Sequence, residues 1–157
     1  MIIRKMTKGD VPEVYEIETK CFSLPWSQQG FYDGLKQESI FLVAEEIKPD
    51  VAGGCRKVIA GYIGMYISYD EGEITNVAVA EEFRGRGLAK ELVRAMQREA
   101  GAKGVLRIVL EVRDTNDAAI AAYRSCGFQE IGIRKGFYEQ PREDARIMLF
   151  PSEEPQI

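Results

Sequence analysis

The stretch Ile74–Lys90, ITNVAVAEEFRGRGLAK, constrains the fold more than any other: an apolar strand pattern runs directly into a glycine–arginine turn that opens an amphipathic helix. In Arg84-Gly85-Arg86-Gly87-Leu88-Ala89 the two glycines let backbone approach a ligand closely. The first N–H groups of a helix have no intrahelical acceptor, and the helix dipole favours an anion beside them. Arg84 and Arg86 add charge of the right sign, so the segment reads as a phosphate cradle; the plainer reading is a sharp basic turn. No Gly-Lys-Ser/Thr follows, which excludes a Walker A loop, and the absence of G-x-G-x-x-G excludes the dinucleotide fingerprint.

Val77 and Val79, then R-x-x-G-x-A ending at Ala89, then a helix, form an order that resembles the acetyl-CoA signature of the GNAT N-acetyltransferase superfamily. Downstream, the strand pattern Val105–Val112, the run Asn116–Tyr123 and Cys126-Gly127-Phe128 resemble the closing N-x-x-A-x-x-x-Y-x-x-x-G-F block of that superfamily. Pro25-Trp26-Ser27, Leu110-Glu111-Val112-Arg113, Ile133–Tyr138 and Glu143-Asp144-Ala145 narrow the resemblance to the bacterial ribosomal-protein alanine N-acetyltransferases of the RimI type. Phe137, where that family often has Tyr, Arg146 at a strand start, and a lengthened loop over 47–57 are departures from its pattern.

The resemblance implies an α/β (α+β) chain of the GNAT acyl-CoA N-acyltransferase fold: a mixed, mostly antiparallel central sheet flanked by helices, one domain over 1–150 and a polar tail over 151–157. It implies acetyl-CoA as co-substrate, no metal, and the N-terminus of a ribosomal protein as partner. Val77, Ala78 and Val79 would then bind the pantetheine arm through their main chain, and Arg84, Gly85, Arg86, Gly87, Leu88, Ala89 and Lys90 the pyrophosphate. Asn116 resembles a cofactor-contacting residue, although a helix N-cap explains it equally well.

Composition fits a compact enzyme. A chain of 157 residues buries about 68–70% of its unfolded surface, enough for a core and a cleft. A net charge of −4 argues against sequence-independent nucleic-acid binding and suits a basic peptide partner. Cys21, Cys55 and Cys126 form no C-x-x-C pair, so reduced thiols and no structural zinc are expected. There is no histidine, which excludes a Ser-His-Asp triad, a Cys-His pair, an H-E-x-x-H zinc site and imidazole acid–base chemistry. The N-terminus lacks a signal-peptide core and no apolar run is long enough to span a bilayer, so the expected setting is cytoplasmic, away from membranes, as a monomer or weak dimer.

The patterns predict a strand near Ile2–Arg4, a helix N-capped by Asp10 with Val14, Ile17 and Cys21 on one face, and a second helix capped by Ser27. Strands follow over Ile40–Glu45, Val58–Tyr69 and Glu73–Ala80, then a helix from Leu88 stopped by Gly101. After the strand Val105–Val112, a helix over Asn116–Cys126 ends at Gly127, and two strands, near Phe128–Ile133 and Ala145–Phe150, close the chain.

Acetyl transfer to an amine needs a neutral amine, a held oxyanion and a protonated leaving thiolate. Glu111 sits on a strand whose apolar face comprises Leu106, Ile108, Leu110 and Val112, so desolvation would raise its pKa toward that of a base; the plainer reading is an ion pair with Arg107 or Arg113. Tyr123 is the candidate acid, since a phenol keeps its proton at neutral pH, although Ile120, Tyr123 and Cys126 also make a core stripe. The L-E-V-R match and the closing block favour the catalytic roles. Trp26 and Tyr138 would wall the peptide site, and acids at 13, 16, 18, 70, 71 and 73 would attract a basic tail or simply be solvated. The function expected is acetylation of the N-terminal alanine of small ribosomal subunit protein 18 by direct transfer. Broader N-terminal or small-amine acetylation and a non-catalytic acetyl-CoA-sensing module are the alternatives.

Overall fold

The computed structural model describes residues 1–151. Seven strands form one sheet in the order β1-β2-β3-β4-β5-β7-β6. They are β1 (Ile2–Lys5), β2 (Ser39–Pro49), β3 (Cys55–Ser68), β4 (Glu71–Val79), β5 (Arg107–Arg113), β6 (Gln129–Tyr138) and β7 (Glu143–Phe150). Four helices, α1 (Val11–Cys21), α2 (Gln28–Leu35), α3 (Leu88–Ala102) and α4 (Asp117–Ser125), cover its two faces. Every neighbouring pair is antiparallel except β4–β5, whose parallel pairing requires a crossover that α3 supplies. The mixed, mostly antiparallel sheet is the one expected; the tail lies, beyond Pro151, outside the described residues.

Alternation divides the apolar side chains between the faces. Leu42, Ile63, Met65, Leu110 and Met148 pack with Leu92 and Met96 of α3, whereas Phe41, Val43 and Tyr62 pack with Val14 of α1 and Phe31 of α2. Between Gly64 and Met65 of β3 the register moves from Asn76 to Ile74, leaving Thr75 of β4 as the extra residue of a bulge. The bulge changes which residues face which way: Ile74 packs on the α3 side, while Ala78 joins the α1/α2 side.

Local signals were met with three changes. Ser27 caps α2 by accepting from Gly30 N–H (3.0 Å), as expected, but Asp10 does not cap α1. Its carboxylate turns back to accept from Thr7 N–H (2.7 Å) and from Arg4. Helix α3 runs past Gly101 to Ala102, and Gly104 (φ 84°) stops it, with Val105 N–H donating to Ala100 O (3.0 Å) and Gly104 N–H to Gly101 O (3.1 Å). Most of the loop expected over 47–57 is strand, since Ile47–Pro49 pair with Cys55–Lys57 and only 50–54 turn.

Candidate active site

The β4–β5 ladder runs from Glu71↔Arg107 to Ile74↔Leu110 and stops there. Past the bulge, β4 has no strand partner on its β5 side among the described residues, which leaves a slot in the middle of the sheet. Main-chain direction alternates along a strand. Ala80 N–H donates to Ala60 O (2.8 Å) in β3, and Ala78 O likewise points at β3, 2.8 Å from where a Cβ on Gly61 would stand. Val77 and Val79 therefore turn their main-chain groups to the open edge, and Ala78 does not. The Val79 carbonyl accepts from Arg84 Nε (3.1 Å).

The turn between β4 and α3 is built by backbone conformation. Gly85 (φ 78°) and Gly87 (φ 75°) are left-handed, yet a Cβ on either would meet nothing within 4 Å, so conformation rather than space selects glycine. Glu91 N–H, bonded to Gly87 O (3.1 Å), is the first amide of α3 to find a helical acceptor. The N–H groups of Leu88, Ala89 and Lys90 precede it and lie at the positive end of the helix dipole. Arg84 reaches back to Val79 O and Cys21 Sγ (3.2 Å), and Arg86 lies over the Phe83 ring at 5.5 Å. Phe83 is buried and anchors the turn.

Glu111 and Tyr123 lie on opposite faces of the sheet. On β5, Ile108, Leu110 and Val112 are buried toward α3 and α4, so the intervening Glu111 faces the α1/α2 side; Tyr123, on α4, belongs to the α3-side core. The Glu111 side chain is only 19% exposed, and burial raises its pKa; Glu73 reinforces that shift and Arg134 opposes it. Its ion-pair partner is Arg134 of β6, Nε 3.2 Å from Oε1, rather than Arg107 or Arg113, which pair with Glu71 and Glu143. Leu106, expected on the apolar face, is 66% exposed because the ladder begins one residue later.

Tyr123 is buried against Phe128, and burial pushes its phenol up, assisted by the nearby Tyr138 and Cys126. Tyr138 is pushed up to about 12, first by burial and then by Glu111, with the Arg113 guanidinium 4.5 Å from its ring centre. Tyr138 is thus electrostatically coupled both to Glu111 and to Tyr123. Asn116 Oδ1 caps α4 by accepting from Ala119 N–H (3.2 Å). Cys126 is buried, its Sγ 3.8 Å from Lys90 O. Trp26 packs into an aromatic cluster with Phe31 at 5.2 Å and Tyr66 at 5.9 Å.

One of the acids read as solvated is not. Glu18 is 2% exposed and holds a polar cluster with Tyr62, Asn76 and the Trp26 main chain. Its position four after Val14 and one after Ile17 puts it on the apolar stripe of α1, which was the available signal. Arg134 and Glu73 carried no such signal, because strand pairing alone brings them to Glu111.

Residues 11–128 match the model of the acetyltransferase (GNAT) family. The chain belongs to the GNAT family. It is 34% identical over 150 residues to the [ribosomal protein bS18]-alanine N-acetyltransferase of Salmonella typhimurium, spanning 93% of this chain and 94% of that one. The crystal structure of the ribosomal-protein-S18-alanine N-acetyltransferase from Escherichia coli superposes with a TM-score of 0.82 at 29% identity, covering 99% of this chain and 96% of that one. The Arabidopsis thaliana NAA60 structure in complex with acetyl-CoA shares the fold, with a TM-score of 0.82 at 19% identity over 95% and 97% of the chains. This GNAT chain is an acyltransferase, and the split β4–β5 sheet is its candidate catalytic slot. No helix among the described residues is long and apolar enough to cross a membrane.

Proposed function

We propose that this chain transfers the acetyl group of acetyl-CoA directly to the N-terminal alanine amine of small ribosomal subunit protein 18, with Glu111 as base and Tyr123 as acid. What supports this reading is that the two side chains lie on opposite faces of the split sheet, a partly desolvated carboxyl on one and a buried phenol on the other. The co-substrate lies along the open edge of β4, its pyrophosphate on the amides of 85–90 and its pantetheine arm on the main chain of Val77 and Val79. The acceptor amine comes from the α1/α2 face. An N-terminal amine titrates near ~8 and an ordinary Glu near ~4.3, so the upward shift of Glu111 narrows the gap for proton removal.

After the amine attacks the thioester carbonyl, the main chain of Val77 or Val79 holds the oxyanion. The Tyr123 phenol, which keeps its proton at neutral pH, donates to the departing thiolate. Main-chain recognition makes the valine side chains packing groups. An open groove of about 360 Å³ lined by Tyr66, Ser68, Asp70, Glu71 and Glu73 adds negative charge beside Glu111 and suits a basic tail. Intact-mass analysis tests the proposal: a peptide with the protein 18 N-terminus is incubated with enzyme and acetyl-CoA beside unrelated Ala-, Ser- and Lys-containing peptides. One acetyl group gained selectively at the alanine amine is expected. Broad acetylation would replace the narrow acceptor with a wider class, and cofactor binding without turnover would leave a sensing module.

A further inference from the structure

The side chain of Glu18 is buried in α1 with no Lys or Arg within ion-pair distance among the described residues. The proposed reaction makes no use of it. Its Oε1 accepts from the Tyr62 hydroxyl of β3 and from Asn76 Nδ2 of β4 (3.3 Å), and its Oε2 accepts from the main-chain N–H of Trp26 (2.8 Å). Thr75, the bulge residue, donates its hydroxyl to Asn76 Oδ1 (2.6 Å). One carboxyl thus joins the loop between α1 and α2 to the strand at the point where the sheet splits.

We infer that Glu18 is a positioning residue that sets the acceptor-side loop carrying Trp26 at a fixed place relative to the split in β4. The inference rests on the proposed direct transfer, in which that loop walls the acceptor peptide and β4 holds the co-substrate. Hydrogen bonding to one oxygen fixes β3 and β4, and to the other fixes the loop, so the two halves of the site share a support. The amide side chain of glutamine keeps one acceptor but presents N–H₂ to the Trp26 N–H, or to Tyr62 and Asn76 if it is flipped. Either orientation leaves a donor facing a donor in a buried place.

Trp26 is the sole tryptophan of the chain, so its emission reports this loop. Glu18→Gln is expected to raise the KM for the acceptor peptide about tenfold, with kcat and the acetyl-CoA Kd within about twofold, the scale of one lost buried hydrogen bond. It should also shift Trp26 emission to longer wavelength while far-ultraviolet circular dichroism is unchanged. Tyr62→Phe, nearly the same shape, should move the same quantities less and decides the matter if Glu18→Gln does not fold. Equal weakening toward both co-substrates, or unchanged peptide KM and emission, overturns the inference. Failure of the wild-type chain to acetylate the alanine peptide sinks only the acceptor assignment. The emission of the variants against wild type then decides: unchanged emission overturns the inference, and a shift with the fold intact upholds it.

Discussion

Arg134 of β6 sets its Nε 3.2 Å from Oε1 of Glu111 on β5, two strands away across β7. A carboxyl raised by burial is therefore held back by one cation, while Glu73 on the adjoining strand pushes the other way. The opposed charges make the acidity of the proposed base adjustable from outside the slot.

Arg134→Gln removes the lowering influence, so Glu111 titrates higher and the acidic limb of the kcat/KM profile moves to higher pH. Glu73→Gln removes a raising influence, so that limb moves to lower pH. Both residues are largely exposed, so screening keeps each shift below about one pH unit. Profiles at low and high salt check the pair; shifts of the same sign in both variants would remove Glu111 from the base role.

Tyr123→Phe keeps the packing on Phe128, 5.8 Å between ring centres, and deletes only the proposed proton donor. A fall in kcat of about a hundredfold is expected, within the usual span for a general acid. The melting temperature should change little, because the ring volume stays. Initial rates beside thermal unfolding test this, and a near-normal rate in a folded protein would leave Tyr123 as core alone.

Gly87→Ala forces an L side chain to φ 75°, although open space surrounds the position. The conformational penalty is about 1–2 kcal/mol, which appears either as lower stability or as a rebuilt turn with misdirected amides. Calorimetric titration with acetyl-CoA, run beside thermal unfolding, should show both effects, and unchanged binding with unchanged stability would contradict the left-handed turn.

Arg4 bridges Asp10 (2.8 Å) and Glu45 (2.7 Å) and holds both carboxyls below the ordinary carboxylate range. Depressed folded-state values stabilise the fold above the ordinary carboxylate pKa near ~4, and that stabilisation is lost as pH falls through the lower folded values. Arg4→Gln should lower the melting temperature at pH 7 and reduce the extra loss of stability seen below about pH 4. Parallel unfolding curves for the two proteins across that range would rule out the bridge as a source of acid sensitivity.

Local chemistry written along the chain was legible before folding. The alternating Val77–Val79 pattern, the left-handed glycines, and the caps at Ser27 and Asn116 each act over a few residues, and their elements stand where the spacing put them. The stop of α3 falls at Gly104 and not at the expected Gly101, because it is Gly104 that takes the left-handed backbone (φ 84°), a choice between two glycines that residue type does not reveal.

The sequence by itself determined a strand–turn–helix cradle, whose spacing follows from strand and helix periodicity, and its resemblance to a known family singled out Glu111 and Tyr123 as candidates. Only the tertiary structure decided what surrounds them. Arg134 replaces Arg107 and Arg113 at Glu111, and Glu18 turns from a solvated acid into the buried support of the slot. Strand order, sheet register and the bulge at Thr75 bring together residues dozens of positions apart, such as Glu18 and Asn76, and no local periodicity encodes that meeting.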